Sequence, residues 1–406
     1  MNLFRDQYPA LLAHMQRHEI TVLLGARQIG KSTLMRQLFV ALKQQGEQVD
    51  FISMEDPEIL QLFNEHPRNL FEAVSPPPPN GRSVVFIDEV QYLENPSNFL
   101  KYNYDHWGDR LKLVVSGSSG FYIDKHFGDS LAGRKRLFEL QTLTFEEMLR
   151  FTERGELADW MEAGGKIPLS QRGELQGALR EYMRFGGYPA VVLAPSEEER
   201  ILLIQEIATS YVKKDALEAG VKRPDQYLML AKVLAAQIGQ LVNMNEMGKR
   251  LGMSNQTVDS YVRLLQKSFH VSLCRPFHRN AAKELRRMPK LFFHDLGLRN
   301  WFCGSFQPLR LREDRGSLLE NFVFRRLLES HGSDAIHFWR TQQQHEVDFV
   351  VVPMLGDPFA LEVKWDASRI AASKYKPFNE AYPEIPLSFV DEKSILSFAG
   401  LTGKTT

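Results

Sequence analysis

Gly25-Ala26-Arg27-Gln28-Ile29-Gly30-Lys31-Ser32 fits the pattern G-x-x-x-x-G-K-[ST] of a phosphate-binding loop. The run before it, Glu19-Ile20-Thr21-Val22-Leu23-Leu24, is apolar and β-branched and reads as a buried parallel strand. The run after it, from Thr33 to Leu38, lacks Gly and Pro and reads as a helix. Strand, loop and helix in that order are what the loop needs. Its glycines let backbone wrap a phosphate, and the amides of the helix N-terminus point at the anion. Residues Gly25 to Thr33 would therefore cradle ATP. Lys31 would pair with the β- and γ-phosphates, and Ser32 would hold Mg²⁺.

A second strand ends in carboxylates. Ser83-Val84-Val85-Phe86-Ile87-Asp88-Glu89 has the Walker B pattern. Asp88 would bind the hydrated Mg²⁺, and Glu89 would orient and polarise the attacking water. A small-molecule kinase has no need of that second carboxylate, whereas a hydrolase does. Leu111 to Ser119 is another buried strand with a polar end. Ser118 or Ser119 would contact the γ-phosphate or the water there, a helix cap or turn being the other reading. In Leu131-Ala132-Gly133-Arg134, the arginine stands just before the last strand of the sheet. It is a candidate sensor or arginine finger, acting in its own subunit or a neighbour's, against the alternative of a solvated basic face.

The chain has 406 residues, too many for one core, and its 43% hydrophobic and 25% charged content is that of a globular protein. Lys+Arg and Asp+Glu both total 50, so no global charge draws it to nucleic acid. No apolar run approaches the ~18 residues that span a bilayer. The N-terminus has no signal-peptide pattern, and the two cysteines have no metal spacing, so a reduced, cytoplasmic setting is expected with no membrane partner.

Beyond the sheet, residues 143–222 read as a helical lid over the nucleotide, broken at Gly186-Gly187-Tyr188-Pro189. Residues 223–278 outline a winged helix-turn-helix: helices at 226–241 and 244–251, a Gly252 turn, a helix at 256–269, and a strand at 271–275. The third helix carries residues able to contact DNA, although Asp259 opposes phosphates. Between Arg275 and Arg315, ten Lys/Arg face four Asp/Glu, a local excess that suits non-specific DNA contact or domain-interface ion pairs. In residues 279–406, a helix from Arg315 places Glu320 in its first turn, a strand carries Asp348, and a neighbouring strand carries Glu362 and Lys364 on one face. Two or three carboxylates with a lysine would hold Mg²⁺ and activate a water.

Taken together, these motifs resemble a family of prokaryotic AAA-type ATPases whose C-terminal domain of unknown function has a restriction-endonuclease-like core. The resemblance runs through Gly25–Ser32, Phe86–Glu89, Ser116–Ser119, Leu131–Arg134, Gly186–Pro189, Pro289–Gly297, Leu319–Asn321, Val347–Phe349 and Leu361–Lys364. It implies ATP hydrolysis, with Ser118 or Ser119 in the place of the sensor 1 residue. It also implies a D…E-x-K nuclease arrangement of Asp348, Glu362 and Lys364, with Glu320 upstream. Val347 stands where a proline often precedes the metal-binding aspartate.

The expected architecture is α/β: a P-loop AAA-type parallel-sheet domain (1–142), a helical lid (143–222), a winged helix (223–278) and a restriction-endonuclease-like domain (279–406). The expected function is Mg²⁺-dependent ATP hydrolysis whose nucleotide state controls a DNA-binding or nuclease-like C-terminal module. The alternative is a regulatory ATPase whose C-terminal half binds a protein partner and cleaves nothing. Homo-oligomerisation fits either.

Overall fold

The computed structural model describes residues 3–118, 131–163, 168–278, 288–366, 368 and 370–397. Ser119 and residues 279–287 of the basic segment lie outside them. The chain divides into two compact units rather than four: residues 1–141, joined by 218–220 and 267–269, and the remainder.

The first unit is built on five parallel strands: β1 (Ile20–Leu24), β2 (Gln48–Ser53), β3 (Ser83–Asp88), β4 (Leu111–Gly117) and β5 (Lys135–Glu139). Their order across the sheet is β2-β3-β4-β1-β5. β1, β3 and β4 are buried along their whole length, which is why each reads as an unbroken apolar run instead of an alternating one. β4 pairs with β1 on one side and β3 on the other. The strand carrying Ser116 thus lies between the phosphate-binding loop and the Walker B carboxylates. The helix Lys31–Gln44 buries Leu34, Met35, Leu38 and Leu42, an i, i+4 stripe facing the sheet. Pro76–Pro79 is a loop, as the proline run demands. Asp56 caps the helix Pro57–Glu65, accepting from Glu58 N at 2.9 Å, so this carboxylate after β2 serves the turn.

The second unit has a six-stranded mixed sheet, from β6 (Val271–Pro276), β7 (Lys290–Phe293), β8 (Ile336–Arg340), β9 (Glu346–Val351), β10 (Phe359–Val363) and β11 (Leu387–Val390), ordered β11-β10-β9-β8-β6-β7. The helix Arg315–His331 packs on it through Leu318, Leu319, Phe322, Val323 and Leu327, and Phe324 stacks on Phe292 of β7 at 4.4 Å. Glu320 falls in the second turn of that helix, not the first.

Two expectations about boundaries change. The strand assigned to a wing is β6, and it pairs antiparallel with β7 and parallel with β8, making it a member of the C-terminal sheet. The helices expected as a lid, Phe145–Phe151 through Glu197–Glu206, cluster with the same unit. What ties them there is a polar joint between two glycine motifs. Asp295 caps the helix Leu296–Phe302 through Leu298 N at 2.8 Å and also accepts from Gly187 N at 2.7 Å. Gly186 has φ +75°, and a Cβ there would stand 2.2 Å from Asp295 Oδ1; a Cβ on Gly297 would stand 2.1 Å from Phe185 O. Asn300 Nδ2 donates to Met183 O and Arg184 O, both at 2.9 Å. In the stretch expected as a winged helix lie the helices Met244–Leu251 and Asn255–Lys267, with Gly252 left-handed between them and Ser254 accepting from Thr257 N at 3.1 Å.

Candidate functional site

All five strands of the first sheet run the same way, so everything that follows the C-terminal ends of β1, β3 and β4 gathers at one edge. The phosphate-binding loop leaves β1 there. Gly25 has no room for a side chain, since a Cβ would meet Leu140 O at 2.1 Å. Gly30 takes φ +93° as the N-cap of the helix Lys31–Gln44. Arg5 fixes the loop from outside, donating to Ile29 O at 2.8 Å and to Gln141 O at 2.7 Å. Lys31 is buried, and its Nζ donates to Gly25 O at 3.0 Å and Ala26 O at 2.9 Å, carbonyls of the loop itself. Phosphate oxygens would take over those bonds. The loop's own guanidinium, Arg27, is 2.6 Å from the carboxylate of Glu218.

At the same edge, Ser116 of β4 donates to Asp88 and accepts from Glu89 N at 3.0 Å, which locks the Walker B turn against the neighbouring strand. Glu89 is in the left-handed region at φ +56°, a conformation that costs a non-glycine residue of order 1 kcal/mol and often marks a working site. Its carboxylate accepts from the side-chain amide of Gln91. The same amide donates to Ser118 Oγ at 2.9 Å. Gln91 is 6% exposed, and its Oε1 has no hydrogen-bond partner among the described residues. Gln91 was missed in the sequence because its signal, one polar residue in Val90-Gln91-Tyr92, looks like an ordinary turn. Only β4's position between β1 and β3 brings Ser118 within its reach.

Arg134 is not brought to this edge. Its backbone carbonyl accepts from Ile20 N at 2.8 Å, beside the start of β1, and β5 runs parallel to β1 from that end. The length of β5, five residues at ~3.3 Å each, separates it from the loop by roughly 16 Å. Its guanidinium is spent on Asp105, with contacts of 2.8 and 3.2 Å. Directly preceding a sheet strand, the feature that suggested a phosphate contact, places a residue at the wrong end of a parallel sheet.

In the second unit the structure brings Glu320, Asp348, Glu362 and Lys364 into one cluster. Asp348 N donates to Glu362 Oε2 at 3.2 Å and Val363 N to Asp348 Oδ2 at 2.9 Å, across the antiparallel pair β9 and β10. Lys364 contacts the Glu362 carboxylate and lies 3.7 Å from Asp348 Oδ2. Tyr375 donates to Glu362 Oε1 at 2.8 Å. Glu320 reaches the cluster through Lys290, whose Nζ is 2.9 Å from Glu320 Oε1, 2.7 Å from Glu346 Oε1 and 3.7 Å from Asp348 Oδ1. Burial pushes Glu320 up to about 8 against the pull of Lys290. Burial and the neighbouring Asp348 raise Glu362 to about 7. Among the described residues, no group of three or more His, Cys, Asp or Glu side chains is placed to hold a metal ion.

On the helix Asn255–Lys267, exposed Arg263 pairs with exposed Asp259 at 2.8 Å, so its charge is partly neutralised by its own helix. Among the described residues no helix is long and apolar enough to cross a membrane.

Three family models match successive parts of the chain: an AAA domain at residues 17–149, a domain of unknown function (DUF8612) at 176–309, and another (DUF4143) at 315–400. An uncharacterised protein of Mycobacterium tuberculosis is 26% identical over 363 residues, covering 89% of this chain and 73% of its own. One from Haemophilus influenzae is 26% identical over 323 residues, covering 76% and 74%. Among solved structures, the ORC2 protein of Aeropyrum pernix in its ADP form covers 72% of this chain and 90% of its own, at 13% identity and a TM-score of 0.36. AMPPCP-bound DnaA of Aquifex aeolicus covers 64% and 86%, at 17% identity and 0.28. Scores this low carry no argument about function. The parallel sheet, the loop after β1 and the carboxylates after β3 all lie in the stretch matched by the AAA domain, and residues 17–149 have the α/β fold of an AAA-type P-loop domain.

Proposed function

We propose that the protein is a Mg²⁺-dependent ATPase whose nucleotide state governs its C-terminal half. One observation carries the reading: Lys31, Asp88, Glu89 and Ser118 all lie at or just beyond the C-terminal ends of neighbouring parallel strands, with Glu89 held by a buried amide that also holds Ser118. Residues Gly25 to Thr33 are shaped for a triphosphate, because a cradle that excludes a Cβ at Gly25 and opens on a 14-residue helix N-terminus suits an anion. Bound Mg²⁺ would supply charge neutralisation at the β- and γ-phosphates. Ser32 and Asp88 are the residues that would hold it. Lys31 would draw charge from the phosphates. Glu89 would accept a hydrogen bond from the attacking water, and Gln91 would keep that carboxylate aimed. Gln91 Oε1, without a partner among the described residues, is an acceptor within the same site.

Two readings of the C-terminal half compete: a DNA-binding or nuclease-like module, and a regulatory module for a protein partner. The carboxylates of Asp348 and Glu362 already accept from Val363 N, Lys364 and Tyr375, which favours the regulatory module. The experiment measures ATP turnover and nucleotide binding with Mg²⁺, with and without duplex DNA. Lys31→Ala should lose phosphate binding, and Glu89→Gln should keep ATP but leave it unhydrolysed. Turnover of Glu89→Gln at the wild-type rate would remove the assigned role of Glu89. A rate raised by DNA, falling with salt as phosphate contacts do, would restore the DNA reading.

A further inference from the structure

The carboxylate cluster of the second unit has residue types that would suit a metal ion, and a lysine ammonium stands among them. Lys290 arrives on β7, with β6 and β8 between it and β9 in the sheet, and is 1% exposed at its side chain. Its ammonium stands among Glu320, Glu346 and Asp348, at 2.9, 2.7 and 3.7 Å, and over the Phe338 ring at 5.4 Å from the centroid. Distances of 2.7–2.9 Å are those of charge-assisted hydrogen bonds. A divalent ion would need several of these same oxygens at ~2.0–2.6 Å, and a fixed positive charge already occupies the approach to them.

The outer oxygens are spoken for as well. Asp348 Oδ2 accepts from Val363 N, Glu362 Oε1 accepts from Tyr375, and Glu362 Oε2 accepts from Asp348 N. Glu346 Oε2 accepts from Arg340 at 3.0 Å. On the far side, Gly239 at φ +72° lets Glu320 lie so close that a Cβ would stand 2.8 Å from its Oε2. The cluster carries its own cations: Lys290, Lys364 and Arg340 stand among Glu320, Glu346, Asp348 and Glu362. A buried carboxylate set supplied with cations by its own chain does not demand an external one.

We infer that the Lys290 ammonium is the resident cation of this cluster, standing where a divalent ion would bind, so that the module holds no metal there and has no metal-activated water with which to cleave a phosphodiester. The centre instead ties β7, β9, β10 and the helix Arg315–His331 together. The disagreement is with the nuclease-like chemistry that Asp348, Glu362 and Lys364 suggest on their own, and it stands whether or not the first unit hydrolyses ATP.

The test is Mn²⁺ binding followed by electron paramagnetic resonance on the full chain without nucleotide, with thermal unfolding measured alongside. Wild type and Asp348→Asn should bind Mn²⁺ alike, and EDTA should not move the wild-type Tm. Lys290→Met, which keeps the length and removes the charge, should gain a site at least about tenfold tighter than anything in wild type, ~1.4 kcal/mol. Adding Asp348→Asn to Lys290→Met should abolish that site. A wild-type Mn²⁺ site that disappears in Asp348→Asn overturns the inference. So does a folded Lys290→Met chain that binds no ion and keeps the wild-type Tm. If Lys290→Met does not fold, the comparison of wild type with Asp348→Asn decides by itself.

Discussion

Gln91→Leu is the substitution that most directly probes the nucleotide edge. The side chain keeps its size and stays buried, but loses the amide that donates to Glu89 and, at 2.9 Å, to Ser118 Oγ. A hydrogen bond to a charged acceptor contributes about 1.5–3 kcal/mol. If that energy holds Glu89 in its left-handed turn with the carboxylate aimed at the water, its loss appears in the barrier at ~1.36 kcal/mol per tenfold. The expected fall in kcat is therefore about 10- to 100-fold. Affinity should not follow, because on the proposed reading the phosphates would contact residues 25–33 and not Gln91. The assay is steady-state turnover with Mg²⁺, paired with a fluorescent-nucleotide Kd and a Tm to separate positioning from folding. A Gln91→Leu kcat within about threefold of wild type refutes the reasoning, and a faster variant refutes it too, since that would make Gln91 a restraint on Glu89.

Three further outcomes are expected. Arg134→Ala should leave turnover within about threefold of wild type, because the residue sits at the N-terminal edge of β5 on Asp105; a loss of the ~10³ or more typical of an arginine finger would show that a neighbouring subunit uses it. Gly186→Ala should destabilise the second unit by about 1–3 kcal/mol in denaturant unfolding, through its left-handed φ and the clash with Asp295, and an unchanged midpoint would remove that joint from the account. Stability should also fall as pH rises from about 5 to 8: Glu320 and Glu362 titrate at about 8 and about 7 in the fold but near 4.5 when unfolded, so the fold alone keeps their protons in that window. Each contributes a slope of at most ~1.4 kcal/mol per pH unit, Lys290 and Lys364 stay charged throughout, and Glu320→Gln should flatten the fall; a Glu320→Gln chain with the wild-type pH slope would contradict the assignment.

Legibility in the sequence followed the range of the interactions. The phosphate-binding loop, β1, the Walker B strand and the helix Lys31–Gln44 were readable because each is specified within about ten residues, by glycines that free the backbone and apolar runs that demand two-sided burial. The carboxylates of the second unit were readable for the same reason, as alternate positions on two neighbouring strands. What the tertiary structure decided was every relation across the sheets. The parallel direction of β5 sends Arg134 to the far edge, and the insertion of β4 between β1 and β3 makes Gln91 a partner of Ser118. The pairing of β6 with β7 and β8 draws a presumed wing strand into the C-terminal sheet. Lys290, 58 residues before Asp348, is the plainest case. Nothing local marks a lysine in Pro289-Lys290-Leu291 as the counter-charge to Glu320, Glu346 and Asp348. It becomes so because burying several carboxylates in one place requires a cation within reach, and the strand that passes closest supplies one.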